Sequence, residues 1–305
     1  MTGSETLTQG AVSHWLDQVP RESVQVSGKE IELAWHDKGP AVLALHGAIG
    51  GYDQGLLLAR CTPGETGAFQ VLAPSRPGYL GTPLSSGRSP EDQADLYAQL
   101  LDTLAIGSVV VLAISVGGPS ALQFASKYPE RCRALILVSA CSAENRIPAE
   151  HTARVEQMVR MVQQPPIRWL MRIMGRYFPD NAIRRSIDDE TVFRQALSDE
   201  EISALFRAFQ ARTMTRLHER MRGTLNDMDV CARLPATCQL RLPVRMLAIH
   251  GAVDRVVPFA QSEHLAVCQP HVELMSIANG EHVCLFTHLH QIRARVSAFM
   301  ERLPA

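Results

Sequence analysis

The sequence predicts an α/β fold, and three patterns predict it. Five runs, "AVLALHG" (41–47), "FQVLAPS" (69–75), "SVVVLAIS" (108–115), "RALILVSA" (133–140) and "VRMLAIHG" (244–251), are continuously apolar rather than alternating. Runs of this kind suit parallel strands covered on both faces. Helical spacing fills several of the intervals between them, which implies a mostly parallel sheet joined by right-handed crossovers. One long interval, 143–225, carries helical patterns and no convincing buried strand.

Taken in order, "SVQVSGKEIELAWHDKG" reads as a β-hairpin, because Val24 and Val26, then Ile31, Leu33 and Trp35, alternate about a Ser27-Gly28 turn. In "SPEDQADLYAQLLDTLAI", Ser89 is placed to cap a helix and Pro90 to occupy its first turn. "GPSALQFASKYPE" is a second helix, ended by Pro129, and "HVCLFTHLHQIRARVSAFMERL" is the last. The sequence therefore divides into a core of 1–142 and 226–305 and a helical insertion of 143–225, broken by Pro165-Pro166 and Pro179. Such a segment serves as a stabilising flank, an oligomer surface, or a lid that excludes water from a pocket.

Composition narrows the function classes. A formal net charge of -1, with arginines interleaved among acids, gives no global reason to expect nucleic acid or an anionic membrane as partner. No run approaches the roughly 18 apolar residues of a membrane span, and the first residues lack a basic segment followed by an apolar one. A cytoplasmic protein is expected, acting on a small molecule, with monomer and homodimer both open. The seven cysteines form no CxxC pair and no metal-like spacing, so reduced thiols and no metal site are expected.

The chemistry gathers at strand ends. The run into "AISVGG" places Ser115 at the carboxyl edge of the sheet, where open α/β sheets bind ligands. A tight strand-to-helix turn needs small residues two before and two after such a serine, and Ala113 and Gly117 supply them. Ser115 reads as a nucleophile or as a helix-capping serine. The loop "HGAIGG" (46–51) lets backbone approach a ligand, with the amide of Ala48 a candidate oxyanion donor beside that of Val116. Gly47, Ile49 and Tyr52 are expected to touch substrate, and Asp53 to cap the following helix. Neither GxGxxG nor GxxxxGK[ST] occurs in this loop, so a nucleotide cradle is disfavoured. His282 in "ANGEHVCLF" has the best setting for a base, and Asp254 in "HGAVDRVVP" for the acid that orients it. Asp227 and Asp229 are the rivals to Asp254, while His46 and His250 read as structural.

With these motifs in view, the chain resembles the α/β-hydrolase fold superfamily along nearly its whole length. The resemblance rests on "HGAIGG", "AISVGG", "HGAVDRVVP" and "GEHV", and on the order nucleophile, acid, histidine. It implies an eight-stranded, mostly parallel sheet, a helical cap inserted after strand six, and a Ser115, Asp254 and His282 triad without metal or organic cofactor. The departure is Ala113, where a glycine is usual. The resemblance leaves open ester hydrolysis, cleavage of a C–C bond, lactone or N-terminal peptide bond, cofactor-free haloperoxidase or hydroxynitrile lyase chemistry, and a non-catalytic receptor. A serine at position 115 excludes the aspartate nucleophile of epoxide hydrolases and haloalkane dehalogenases. Ester hydrolysis is the first expectation. Among arginines of the insertion, Arg168, Arg172, Arg176, Arg184 and Arg185 are candidates for anchoring an acidic substrate, although helix periodicity puts most in solvent.

Overall fold

The continuous apolar runs become the inner strands of an eight-stranded sheet. A computed structural model describes residues 7–36, 38–62, 69–146 and 149–303, so the first six residues of the leader reading lie outside the described residues. The strands are β1 (Arg21–Val26), β2 (Lys29–His36), β3 (Ala41–Leu45), β4 (Gln70–Pro74), β5 (Val109–Ile114), β6 (Cys132–Val138), β7 (Met246–Gly251) and β8 (Val272–Ile277). Their order is β1-β2-β4-β3-β5-β6-β7-β8. β1 and β2 form the hairpin, Val26 facing Lys29 across Ser27 (φ 49°) and Gly28 (φ 78°), a two-residue turn that needs positive φ at both positions. β2 meets β4 antiparallel and every later pairing is parallel.

Thirteen helices are described: α1 (Gln9–Gln18), α2 (Tyr52–Cys61), α3 (Pro90–Thr103), α4 (Gly118–Lys127), α5 (Ala149–Val162), α6 (Pro165–Tyr177), α7 (Pro179–Arg184), α8 (Glu190–Ser198), α9 (Glu200–Thr215), α10 (Leu217–Cys231), α11 (Ala260–Cys268), α12 (Cys284–Thr287) and α13 (Leu289–Met300). Ser89 and Asp92 cap α3 reciprocally, which satisfies two otherwise unpaired backbone donors. Alternate strand residues explain why the runs are apolar throughout. Leu43, Leu45, Val111, Leu135 and Ala248 join a core with α3 and α4, whereas Val42, Ala44, Leu112, Ile136 and Leu247 join a core with α2 and α13. Both faces are covered, so neither set tolerates polar residues.

Six helices, α5 to α10, lie between β6 and β7. They are not a separate body: Ile202, Leu205, Phe206 and Ala208 of α9 share the core that contains α2 and α13. The helix Leu217–Cys231 runs through residue 225, the expected end of the insertion, and the chain returns to the sheet only beyond it. Among the described residues no helix is long and apolar enough to cross a membrane.

The expectation of reduced thiols needs correction. Cys238 and Cys268 are joined, with Cα atoms 5.0 Å apart, within the range that disulfides span. His264 Nε2 lies 3.4 Å from each of the two sulfurs, so a Cys-His-Cys cluster exists where spacing showed none. Its members come from a short turn before β7 and from α11, which linear spacing does not bring together. The other five cysteines are free and buried.

Candidate active site

Ser115 sits where β5 hands over to a helical turn, at φ 54°. A positive φ is uncommon for a residue with a Cβ. It throws the hydroxyl off the strand end and toward His282. The turn works only because its neighbours are small: a Cβ on Gly117 would lie 2.7 Å from Leu45 O, and one on Gly47 would lie 3.1 Å from Ser115 Cβ.

The three polar residues form one hydrogen-bonded chain. Ser115 Oγ is 3.0 Å from His282 Nε2, and His282 Nδ1 is 2.8 Å from Asp254 Oδ2. A carboxylate only accepts, so Nδ1 carries the proton and Nε2 is left to accept from the serine hydroxyl. Asp254 is saturated with donors. Its Oδ1 accepts from the N–H groups of Val256 and Val257 at 2.8 and 3.0 Å, and His250 Nε2 stands 3.2 Å from Oδ2. Burial works to raise the Asp254 carboxyl, but hydrogen bonds from His250, His282 and Val257 and the charge of His282 outweigh it and hold it well below the ordinary carboxylate range.

His250 therefore does more than fill space. Its Nε2 also faces Val257 O at 2.9 Å, an acceptor, so Nε2 bears the proton and Nδ1 accepts from Ser262 Oγ at 2.6 Å. The side chain fixes both Asp254 and the loop that presents it. The sequence signal was the repeated strand-end "HG", seen at His46 and at His250. His46 has the parallel task at β3: its Nδ1 faces Gly47 O at 2.7 Å and its Nε2 accepts from Arg76 N–H at 2.9 Å. Burial, aided by the charge of Arg76, keeps that imidazole neutral.

The loop from Gly47 to Gly51 faces the same point. Ala48 and Val116 both line the cavity beside Ser115 and His282, and no described hydrogen bond engages the N–H of either. Ile49 lies at φ 54°, an outlier for a β-branched residue. Helices of the insertion hold it there. Ile49 N–H donates to Thr224 Oγ1 at 3.0 Å, and Gln54 Nε2 donates to Ile49 O at 3.0 Å and to Thr213 Oγ1 at 2.8 Å.

The cavity measures about 740 Å³, ample for a small-molecule ligand. Its walls are mainly apolar: Ile49, Leu58, Met214, Met228, Leu285 and Phe286 are among them. Gly47 and Ile49 line it as expected, but Tyr52 does not. Tyr52 is buried beside Arg21, whose guanidinium donates to the Tyr52 hydroxyl, and its backbone N–H donates to Ser75 Oγ. The start of α2 turns the ring away from the cavity. Asp53 does not cap α2 either; Gly51 occupies that position, and the Asp53 carboxylate accepts from Arg220 Nη1 and Nη2 at 3.0 and 2.6 Å. Despite burial, that guanidinium holds Asp53 below its ordinary range.

Asp227 lines the cavity yet is committed elsewhere. It accepts from Arg76 Nη1 and Nη2 at 2.9 and 2.8 Å and from the Tyr79 hydroxyl at 2.5 Å, all buried. Burial raises its carboxyl, with Arg76 opposing. Asp229 is in an exposed pair with Arg233. None of Arg168, Arg172, Arg176, Arg184 and Arg185 lines the cavity; Arg146 and Arg255 do, and each is paired, with Glu144 and Asp188 respectively.

A family profile described as the alpha/beta hydrolase fold matches residues 40–289. An uncharacterized hydrolase of Bacillus subtilis (strain 168), YcgS, is 29% identical over 211 residues, 68% of this chain; the match spans only 65% of that protein. A poly(3-hydroxyalkanoate) depolymerase of Ectopseudomonas oleovorans is 27% identical, covering 77% of this chain and 76% of its own. A 2-hydroxymuconate semialdehyde hydrolase of Pseudomonas sp. (strain CF600) is 24% identical, covering 94% and 98%. Among solved structures, an alpha/beta hydrolase fold protein from Nakamurella multipartita superposes with a TM-score of 0.77 at 27% identity, covering 92% of this chain and 98% of that one.

Proposed function

The chain belongs to the alpha/beta hydrolase fold family, and from that premise we propose that it is a serine hydrolase cleaving carboxylic esters of small to medium, largely apolar substrates. The observation that carries the reading is the Ser115, His282 and Asp254 chain opening on an apolar cavity. Ser115 Oγ attacks the ester carbonyl as His282 Nε2 takes its proton. Asp254 keeps the imidazole in the needed tautomer and stabilises its charged form. The N–H groups of Ala48 and Val116 receive the developing oxyanion, each such donor worth about 3 kcal/mol in the transition state. His282 returns the proton to the leaving alcohol, and water, activated by the same histidine, releases the acid from Ser115.

The cavity favours an apolar ester over a substrate bearing several carboxylates. Its two lining arginines are each already paired with a carboxylate, and Asp227 adds a further acid to the wall. The test is a series of p-nitrophenyl esters of rising acyl length, with Ser115→Ala as control. Turnover of the series, an acyl-enzyme on Ser115 detected by mass spectrometry, and loss of both in Ser115→Ala are expected. Full activity in Ser115→Ala would overturn the mechanism. Failure of the wild type both to turn over esters and to react with a fluorophosphonate would favour a ligand receptor on the same fold.

A further inference from the structure

The outer face of the insertion is unlike the rest of the surface. Among the described residues, five of the nine exposed large hydrophobics, Met161, Trp169, Leu170, Tyr177 and Phe178, fall within 161–178. They lie on the end of α5, on α6 and just beyond it. The inward side of the same helices is fully used: Val162, Ile167 and Met171 pack with Leu217 and Met221 of α10, and a Cβ on Gly175 would lie 2.6 Å from Met214 Cβ of α9. The outward apolar residues are therefore surplus to packing. Exposed large apolar residues gathered in one stretch of the surface helices point to an interaction surface rather than to scattered surface hydrophobics.

Charge identifies the occupant. Between 157 and 179 the sequence has no Asp or Glu and four arginines, Arg160, Arg168, Arg172 and Arg176, in a chain whose net charge is -1. The whole-chain balance conceals this local excess. Arg172 and Arg176 form no ion pair with any described residue, and Arg176 lies 5.7 Å from the Tyr177 ring centroid. The next acid, Asp180, is occupied by Arg207 at 2.7 Å. A second copy meeting this face symmetrically would set the arginines of α6 against one another, since the stretch carries no acid of its own. An aromatic and aliphatic stripe flanked by unpaired guanidiniums instead matches an anionic phospholipid surface: the rings enter the headgroup region while the arginines reach the phosphates.

We propose that α6 and the end of α5 form a peripheral docking surface for anionic phospholipid bilayers. This proposal is independent of the reaction assigned to Ser115. Met214 ties the two regions together, because it touches α6 at Gly175 and also lines the cavity. The docked face is thus one helix layer from the cavity wall.

The experiment is co-sedimentation of the full chain with vesicles of phosphatidylcholine alone and of equal parts phosphatidylcholine and phosphatidylglycerol, at low and high salt. Binding to the anionic vesicles, absence of binding to the neutral ones, and weakening by salt are expected. Arg172→Gln with Arg176→Gln should lower partition about 25-fold, at about fivefold per cation near an anionic surface. Trp169→Ser should lower it by about tenfold through lost apolar contact. Both variants change exposed side chains, and circular dichroism with a melting curve confirms that they fold. Equal binding to both vesicles, no binding, or wild-type binding by folded variants would overturn the proposal. So would a concentration-dependent dimer in sedimentation equilibrium that Trp169→Ser abolishes, which would assign the face to a second copy.

Discussion

Replacing Thr224 by valine removes one hydroxyl from α10 with little change of shape, and it tests whether the inserted helices set the geometry at Ser115. Thr224 Oγ1 is the acceptor for Ile49 N–H at 3.0 Å, in the loop whose Ala48 N–H is proposed to meet the oxyanion. Without it, a partly buried donor is unpaired, at about 1 kcal/mol or somewhat more. Ile49 also loses one of the contacts that hold it at φ 54°, a conformation costing on the order of 1–3 kcal/mol. If the loop relaxes, Ala48 N–H moves away, and complete loss of that donor sets a ceiling of about 3 kcal/mol. The expected fall in kcat is thus between about fivefold and about 100-fold, since about 1.4 kcal/mol is a factor of ten. KM should change little, because the donor acts on the transition state. Stability should fall by about 1 kcal/mol, roughly 2 °C in Tm for a chain of this size. The assay is steady-state hydrolysis of a short p-nitrophenyl ester beside a melting curve, with Thr224→Ser expected to restore kcat. A kcat within about twofold of wild type, with the lowered Tm, would refute the link between α10 and the oxyanion loop.

Two further predictions follow from burial. His46 is neutral in the folded protein, held below its ordinary value by burial and then by Arg76; the unfolded chain takes up that proton near pH 6.5. Stability should therefore be fully present above about pH 6.5 and decline on acidification at about 1.4 kcal/mol per pH unit from this residue, with His218 and His288 adding in the same direction. The depressed Asp254 carboxyl keeps its contribution throughout this range and loses it only at far lower pH. Urea midpoints that fail to fall between about pH 7.5 and about pH 5 would contradict this account. For the cysteines, burial pushes the thiols of Cys61 and Cys132 up to about 12 and that of Cys284 to about 11. Alkylation without reductant should leave native protein unmodified and label five cysteines after unfolding, rising to seven after reduction; seven labels without reductant would refute the Cys238–Cys268 link.

The parallel strands were legible because sheets covered on both faces demand unbroken apolar runs, and Val42 and Leu43 show the two demands side by side. Ser115, Asp254 and His282 were legible because a strand end fixes where a loop residue emerges. What lay beyond reach depended on partners distant in sequence. Asp53 looked like a cap residue until Arg220 took its carboxylate, and Tyr52 looked like a cavity wall until Arg21 and Ser75 anchored it outside. The support that His250 gives Asp254 was half visible, since the repeated "HG" announced a buried histidine without naming its acceptor. Cys238 and Cys268 are separated by 30 positions with no motif between them, and only the packing of α11 shows their contact.

The ion pairs Arg76–Asp227 and Arg220–Asp53 fasten α10 to the loop after β4 and to the first turn of α2, and all four side chains are almost wholly buried. Their consequence is energetic. Any outward swing of α10 would separate opposite charges before water could reach them, and a buried charge stripped of its partner costs about 3–5 kcal/mol. Two such separations cost roughly 6–10 kcal/mol, so an outward-swung α10 is populated in fewer than about one molecule in ten thousand. Arg146 and Arg255, which line the same cavity, stand instead in exposed ion pairs with Glu144 and Asp188, whose separation costs little.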